Sequence, residues 1–372
     1  MRKTAILFLL LFLTIFVVQA SLADKIKIKT EKGIPVVYNP KKPDPPQGLE
    51  GKLVLVEGLR IGEEEKEGYM FAQTPDGISL AVDNEGNIYT LDPKLVEVRR
   101  FSPEGKLLKL FGRKGKGPEE MDMPRSIRVT AQDELMFIDT GNRRITFYDL
   151  DGEFLRFIPT YKWSLGKIKL DSKGNVVTDL THFTGDKETS LIVNYEIKRF
   201  NQKMEPLNTF ITVDRTEEFT KREYGHGWRY YWQLSKDDNL IFAYNQDYEF
   251  HIITPEGKII RKFKKEYDPV KVTEEEEEEV PQRIRELYKM PTHHSRFHYF
   301  TVDDEGRLYV RTWERTKDGD ERVWDVFDAE GKWLAQFFTN DIVKLGLKGK
   351  LYTAGETEEG ISVVKRYNMI FK

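Results

Sequence analysis

The chain has 372 residues, 39% hydrophobic and 12% aromatic, which supplies a sizeable core and excludes global disorder. Its 59 basic and 62 acidic residues leave a net charge of −3, without the basic excess of proteins that grip phosphate backbones, so nucleic acid is not expected as a partner. The absence of cysteine excludes disulfides, Cys-ligated metals and a cysteine-linked lipid, and suits an oxidising compartment.

Residues 1–23 read as a secretory signal peptide. Arg2 and Lys3 form a positive head and Ala5 to Val18 an apolar run. Val18-Gln19-Ala20 or Ser21-Leu22-Ala23 then offers small residues for cleavage. The run is shorter than the ~20 residues of a membrane span; an uncleaved anchor is the alternative, and would be the only membrane link. Cleavage removes Arg2 and Lys3 and takes the net charge from −3 to −5. The expected location is secreted or periplasmic. Residues 24–50 read as an extended N-terminal arm, in which Lys25 to Lys29 alternate like a short strand and Pro40, Pro43, Pro45 and Pro46 mark a linker. Leu53 to Val56 and Leu59 to Ile61 follow as an orphan strand.

From there the chain repeats itself. Leu80-Ala81-Val82-Asp83-Asn84-Glu85-Gly86-Asn87-Ile88-Tyr89 recurs as Phe300-Thr301-Val302-Asp303-Asp304-Glu305-Gly306-Arg307-Leu308-Tyr309. Weaker copies start at Arg128, Lys169, Gln233 and Lys344. Each is an apolar strand, a turn of residues that tolerate positive φ, and a second apolar strand, which is the hairpin signature. A second hairpin follows, in Arg100 to Leu108, Phe147 to Leu155, Ile252 to Ile260 and Val326 to Leu334, with Arg199 to Leu207 a looser copy. Two hairpins per repeat make a four-stranded propeller blade, and six copies predict an all-β, six-bladed β-propeller over residues 51–372. The spacings from Val82 through Val129, Leu170, Leu234 and Val302 to Leu345 are 47, 41, 64, 68 and 43, which places insertions near 214–231 and 264–296. The second insertion predicts a helix capped by Thr273, with Glu274 to Glu279 at its positive end, an apolar face of Ile284, Leu287 and Tyr288, and a kink or restart at Pro281. The last copy lacks an outermost strand, so the orphan N-terminal strand is predicted to complete the last blade and close the ring.

Phe137-Ile138-Asp139-Thr140-Gly141-Asn142-Arg143-Arg144-Ile145 resembles the central pattern of NHL repeats, and the segment from Phe111-Gly112 through Gly117-Pro118 to Pro124 resembles the blade connection of bacterial exported six-bladed β-propellers. The resemblance covers residues 51–372 and implies the fold. Its relatives variously bind RNA, bind protein, or act as lyases and lactonases, so fold alone selects no function. Lyase-type relatives hold zinc with channel histidines from several blades; here only His298 lies beside an innermost strand, and the Glu, Asn and Asp set of the lactonase type cannot be assembled.

Motif chemistry adds little. The Gly112 to Gly117 loop lacks the Gly-Lys-Ser/Thr of a phosphate loop and is expected to be a structural connection. His293, His294 and His298 lack a flanking carboxylate motif and are expected to be solvated loop residues. No catalytic residue, metal ligand or cofactor is predicted. Seven polar or aromatic residues near innermost strands are the candidate ligand-binding set: Arg125, Arg128, Lys169, Arg229, Trp232, His298 and Arg311. Gathered at one channel mouth they would hold an acidic or sugar-like ligand, beside the aromatic stretch Tyr224 to Trp232. The expected function is a non-catalytic binding or scaffold propeller that takes a protein, peptide or glycan. The alternative is a metal-dependent lyase or hydrolase with a channel-mouth site.

Overall fold

The computed structural model describes residues 25–64, 66–185, 192–216 and 229–372. The expected signal peptide and most of the insertion near 214–231 lie outside the described residues.

Two strands open the described chain, β1 (Lys27–Glu31) and β2 (Ile34–Asn39), followed by β3 (Leu53–Ile61). Blade 1 then comprises β4 (Ser79–Val82), β5 (Ile88–Asp92), β6 (Glu97–Phe101) and β7 (Leu107–Phe111). Blade 2 is β8 (Pro124–Val129), β9 (Leu135–Asp139), β10 (Arg144–Tyr148) and β11 (Phe154–Pro159). Blade 3 is β12 (Ile168–Leu170), β13 (Val176–Thr184), β14 (Ile192–Phe200) and β15 (Pro206–Asp214). Blade 4 contains β16 (Tyr230–Leu234), β17 (Leu240–Tyr244), β18 (Glu249–Ile253) and β19 (Ile259–Lys265). Blade 5 is β20 (Tyr299–Val302), β21 (Leu308–Arg315), β22 (Arg322–Phe327) and β23 (Trp333–Phe338). Blade 6 joins β24 (Ile342–Leu347), β25 (Lys350–Glu356) and β26 (Ser362–Phe371) to β3.

The turns explain why the repeats fold alike. Asp83 Oδ1 accepts from the backbone N–H of Glu85 and Asn87 at 2.9 and 2.8 Å, while Gly86 takes φ +90°. Asp149, Asp171, Asp303 and Asp328 repeat that pair of bonds. A short acceptor thus fixes a type I turn and a left-handed residue ends it. At the outer hairpins the register slips at this turn, at Arg100/Phe101, Phe147/Tyr148, Ile252/Ile253 and Val326/Phe327, as a bulge after such a turn requires.

Six apolar clusters fill the spaces between successive blades. The blade 4/5 cluster is the most aromatic: Phe250 stacks on Phe263 at 4.6 Å and meets Phe300 edge-on at 5.1 Å, geometries that add to simple burial. Ring closure occurs as the sequence predicts. β3 runs antiparallel to β26 from Phe371↔Leu53 to Val364↔Ile61, with the register shift that leaves Gly58 unpaired, and Lys52 and Lys372 exchange backbone hydrogen bonds at the free end.

One segment differs from expectation and a second does so in part. The arm is not simply extended: β1 and β2 form a hairpin across Lys32-Gly33, both at positive φ, and β2 adds in parallel to β19, making blade 4 six-stranded. Asn39 anchors it. Its Nδ2 donates to the carbonyls of Lys264 and Gly331 at 2.9 and 2.8 Å, and its Oδ1 accepts from Trp333 N–H at 2.8 Å, so one side chain ties the arm, blade 4 and blade 5 together. The second insertion forms α1 (Glu274–Glu278), held by a Thr273–Glu276 capping box, and restarts after Pro281 as α2 (Gln282–Leu287). The apolar face expected on α2 is not buried: Leu287 and Tyr288 are exposed. Among the described residues, no helix is long and apolar enough to cross a membrane.

Candidate functional site: a cationic central channel

The strands nearest the axis, β4, β8, β12, β16, β20 and β24, enclose a cavity of about 460 Å³ that touches all six blades and opens where these strands end. A second cavity of about 310 Å³ opens where the strands begin, beside Asp76, Ser79 and Arg125. Arg128 and Lys344 line both, so the two meet along the axis.

The rim of the larger cavity is stitched turn to turn. Asn84 Nδ2 donates to Asp133, Gln132 Nε2 to the Ser172 carbonyl, Ser172 to Asp238, and the Lys348 N–H to Asp304, with the Lys348 ammonium on the Asn84 carbonyl at 2.6 Å. These bonds consume the rim carboxylates. Asp171 and Asp303 are likewise saturated by their own turns, by Asn175 and Arg307 respectively.

The cations of the channel are placed differently. Arg128 and Lys169 occupy one repeat position on adjacent blades, opposite Met136 and Val177 of the next strand, and Lys344 lies at the bulge of β24, one residue before the equivalent position on blade 6. Among the described residues none of the three forms an ion pair. Arg128 Nε is buried without a hydrogen-bond partner, and Lys344 Nζ reaches only the Asp76 carbonyl at 3.0 Å. Lys167, two residues before Lys169 on the same alternating face, donates to the Trp232 carbonyl at 2.6 Å. Burial, reinforced by the Arg128 charge, pushes the Lys167 ammonium down to about 7. Burial and the charges of Arg128 and Lys167 hold Lys169 well below the usual lysine range. Burial brings Lys344 to about 8 despite Asp76, and also lowers Arg128. Desolvation and like charge both disfavour the charged forms, so an incoming anion would relieve the strain of this cluster.

The seven residues singled out from sequence do not gather at one mouth. Arg128 and Lys169 share the larger cavity. Arg125 is exposed at the opposite mouth, the end at which β16 and β20 begin and near which Arg229, His298 and Arg311 lie. Arg229 is exposed, with its N–H on Asn245 Oδ1 at 2.8 Å. His298 donates its N–H to the Arg311 carbonyl at 2.7 Å, and burial with the Arg311 charge lowers its imidazole to about 4, so the ring is neutral. Trp232 offers no stacking face. It is 1% exposed, its Nε1 donates to Asp179 at 3.0 Å, and it packs in the blade 3/4 core. Residues Tyr224 to Trp228 lie outside the described residues. Lys344 and Lys167 were not singled out from sequence; aligning the copies on Leu345 puts Lys344 in the column of Arg128 and Lys169, but the bulge between Val343 and Leu345 displaces it from their register.

Two other motifs resolve as structure. Asp139 of the NHL-like pattern accepts from Asn142, Arg144 and the Asp122 N–H. Arg144 carries on to the carbonyls of Gly117 and Glu120, stapling the Gly-rich connection. Gly112, at φ +111°, has room for no β-carbon, which would sit 2.4 Å from the Val96 oxygen. The histidines are not all solvated as expected: His294 is buried, bonds Glu276 at 2.9 Å and stacks on Trp313 at 4.1 Å. Among the described residues, no three His, Cys, Asp or Glu side chains are grouped to hold a metal ion.

Comparison with known proteins agrees with this architecture. No curated protein matches the chain. Among solved structures, it is similar to a candidate exported protein of Bacteroides fragilis NCTC 9343, at 12% identity and a TM-score of 0.55 over 91% of this chain and 99% of that one. It is also similar to a member of the DUF4221 family from Bacteroides vulgatus ATCC 8482, at 11% identity and a TM-score of 0.53 over 87% and 99%. At such identities the likeness is one of fold. A family model described as 6-bladed beta-propeller matches residues 76–360, and the chain belongs to that family, DUF5128.

Proposed function

We propose that this chain is an exported binding propeller whose central channel receives an acidic group of a glycan, peptide or protein ligand. The observation that carries the proposal is the cluster of Arg128, Lys169 and Lys344 around one cavity, with Arg128 Nε unpartnered and the neighbouring carboxylates already engaged. A guanidinium nitrogen buried without a partner is costly to keep, and an anionic ligand supplies that partner. The positive head, apolar run and small residues of 1–23 support export. A metal-dependent reaction gains no support from the channel, because the same cations repel a divalent metal ion. Calorimetric titration with glucuronate and with N-acetylglutamate tests the reading. Binding is expected for these acids and not for methyl glucoside, and R128Q is expected to weaken it about tenfold or more, the value of one charge-assisted hydrogen bond. Equal affinity for the neutral sugar, or indifference to R128Q, would overturn it.

A further inference from the structure

We infer that Lys169 is a nucleophilic amine that condenses with the carbonyl group of a small 2-oxo acid whose carboxylate is held by Arg128. The inference rests on the anion-binding reading of the channel and narrows the ligand to one chemical class.

Placement carries it. An amine that attacks a carbonyl needs access to a cavity, freedom from a competing hydrogen bond, and a nearby cation to seat the substrate and keep the amine unprotonated. Lys169 lines the larger cavity, and among the described residues its ammonium has no hydrogen-bond or ion-pair partner. Lys167 differs on both counts, since its Nζ is committed to the Trp232 carbonyl. Arg128 lines the same cavity from the adjacent blade, and its charge is felt at both lysines. A guanidinium is the group suited to grip a planar carboxylate. In a 2-oxo acid the carbonyl carbon is bonded directly to the carboxylate, so one small molecule carries a partner for each side chain. Burial and the charges of Arg128 and Lys167 favour the free amine of Lys169 over its ammonium.

In the reaction the Lys169 nitrogen bonds to the carbonyl carbon, the carbonyl electron pair moves to oxygen, and proton transfer through channel water gives a carbinolamine. Loss of water leaves the imine, so that amine and carbonyl yield imine and water with no change of oxidation state. A free, compact carbonyl acid fits a cavity of about 460 Å³.

The test uses the full chain, glyoxylate as probe and sodium cyanoborohydride to trap the imine near pH 7, followed by peptide mapping. Exposed lysines such as Lys32 and Lys42 serve as internal standards. An ordinary lysine is unprotonated about once in 10³ at this pH, so Lys169 is expected to gain its carboxymethyl group at least ~10-fold faster than they do. Neutral glycolaldehyde, scaled to the same standards, is expected to lose that preference, as is R128Q toward glyoxylate. K169R is expected to show only the slow surface labelling, with its fold checked by circular dichroism. Labelling of Lys169 no faster than Lys32 and Lys42, or equally favoured with glycolaldehyde, overturns the inference. Calorimetric binding of glycolate, which has no carbonyl to trap, reports on the anion-binding channel alone: glycolate binding without selective labelling leaves the channel reading standing and this one refuted.

Discussion

Replacing Asn39 with alanine tests whether the N-terminal hairpin is part of the propeller's cooperative structure. The side chain is 2% exposed and makes three hydrogen bonds of 2.8–2.9 Å, all to backbone groups of blades 4 and 5. Alanine leaves the Trp333 N–H without its acceptor and removes donors from two carbonyls. A buried group left unpaired costs about 1–3 kcal/mol, and carbonyls suffer less because they retain a second lone pair. The sum is a loss of about 2–4 kcal/mol, or a 30- to 1,000-fold shift in the folding equilibrium on the scale of about 1.4 kcal/mol per factor of ten. N39D keeps an acceptor for Trp333 but turns a carboxylate toward the Lys264 and Gly331 carbonyls, and is expected to be worse. Urea unfolding followed by tryptophan fluorescence reads the global loss, since Trp324 and Trp333 are fully buried, and hydrogen exchange over 27–39 reads the local one. A change below about 0.5 kcal/mol with unchanged exchange would refute the clamp. Faster exchange confined to 27–39, with an unmoved midpoint, would refute its role in joining the blades.

Lys265→Met is expected to destabilise the fold by about 3–5 kcal/mol, because Lys265 Nζ bonds Asp325 at 2.6 Å in a pair almost wholly out of solvent, and its loss strands the carboxylate. Adding D325L should recover much of that in urea unfolding; no recovery would place the cost in packing against Trp333, whose ring lies 3.8 Å from the ammonium. Glucuronate affinity is expected to fall as pH rises through about 7 to 8, where Lys167 and then Lys344 lose their protons, by up to tenfold per pH unit for each amine that must be reprotonated on binding. Calorimetry at fixed ionic strength checks this, and a flat profile from pH 6 to 9 would remove these lysines from the site. Without ligand the sign reverses for stability: the unfolded chain holds protons that the folded chain has shed above pH 7, so these two groups favour folding increasingly as pH rises toward the ordinary lysine range.

What was legible in the sequence was local. The Asp83 and Asp303 turns carry their own acceptor and their own left-handed glycine within five residues, so strand ends can be read without knowing what packs on them. Ring closure was legible by subtraction, from a blade short of one strand and a strand lacking a blade. The docking of β2 on β19 was not, because its parallel partner lies more than 220 residues away and the match of Val36 to Lys262 is fixed by tertiary geometry. Trp232 shows the same limit at the site. An aromatic beside an innermost strand reads alike whether it faces a ligand or, as here, an interblade core with Asp179 on its indole nitrogen.

The charge pattern of the interior separates paired from unpaired cations. Arg144 is paired with Asp139, Lys265 with Asp325, and Lys365 with Asp341, each at 3.1 Å or less and each with further hydrogen bonds on the carboxylate. Where a cation serves only the fold, the sequence supplies its acid, because breaking such a pair costs more than forming it gains. Around the axis the rule is suspended. Two inner strands place a cation at one repeat position and β24 places Lys344 at its bulge, while the acids nearby are spent on turn N–H groups and neighbouring rim turns. A fold needing only to fill its channel would do so more stably with the apolar residue found at the same position of blade 1, Ala81. On the proposed reading, an anionic ligand would supply the counter-charge that Arg128 and Lys344 lack.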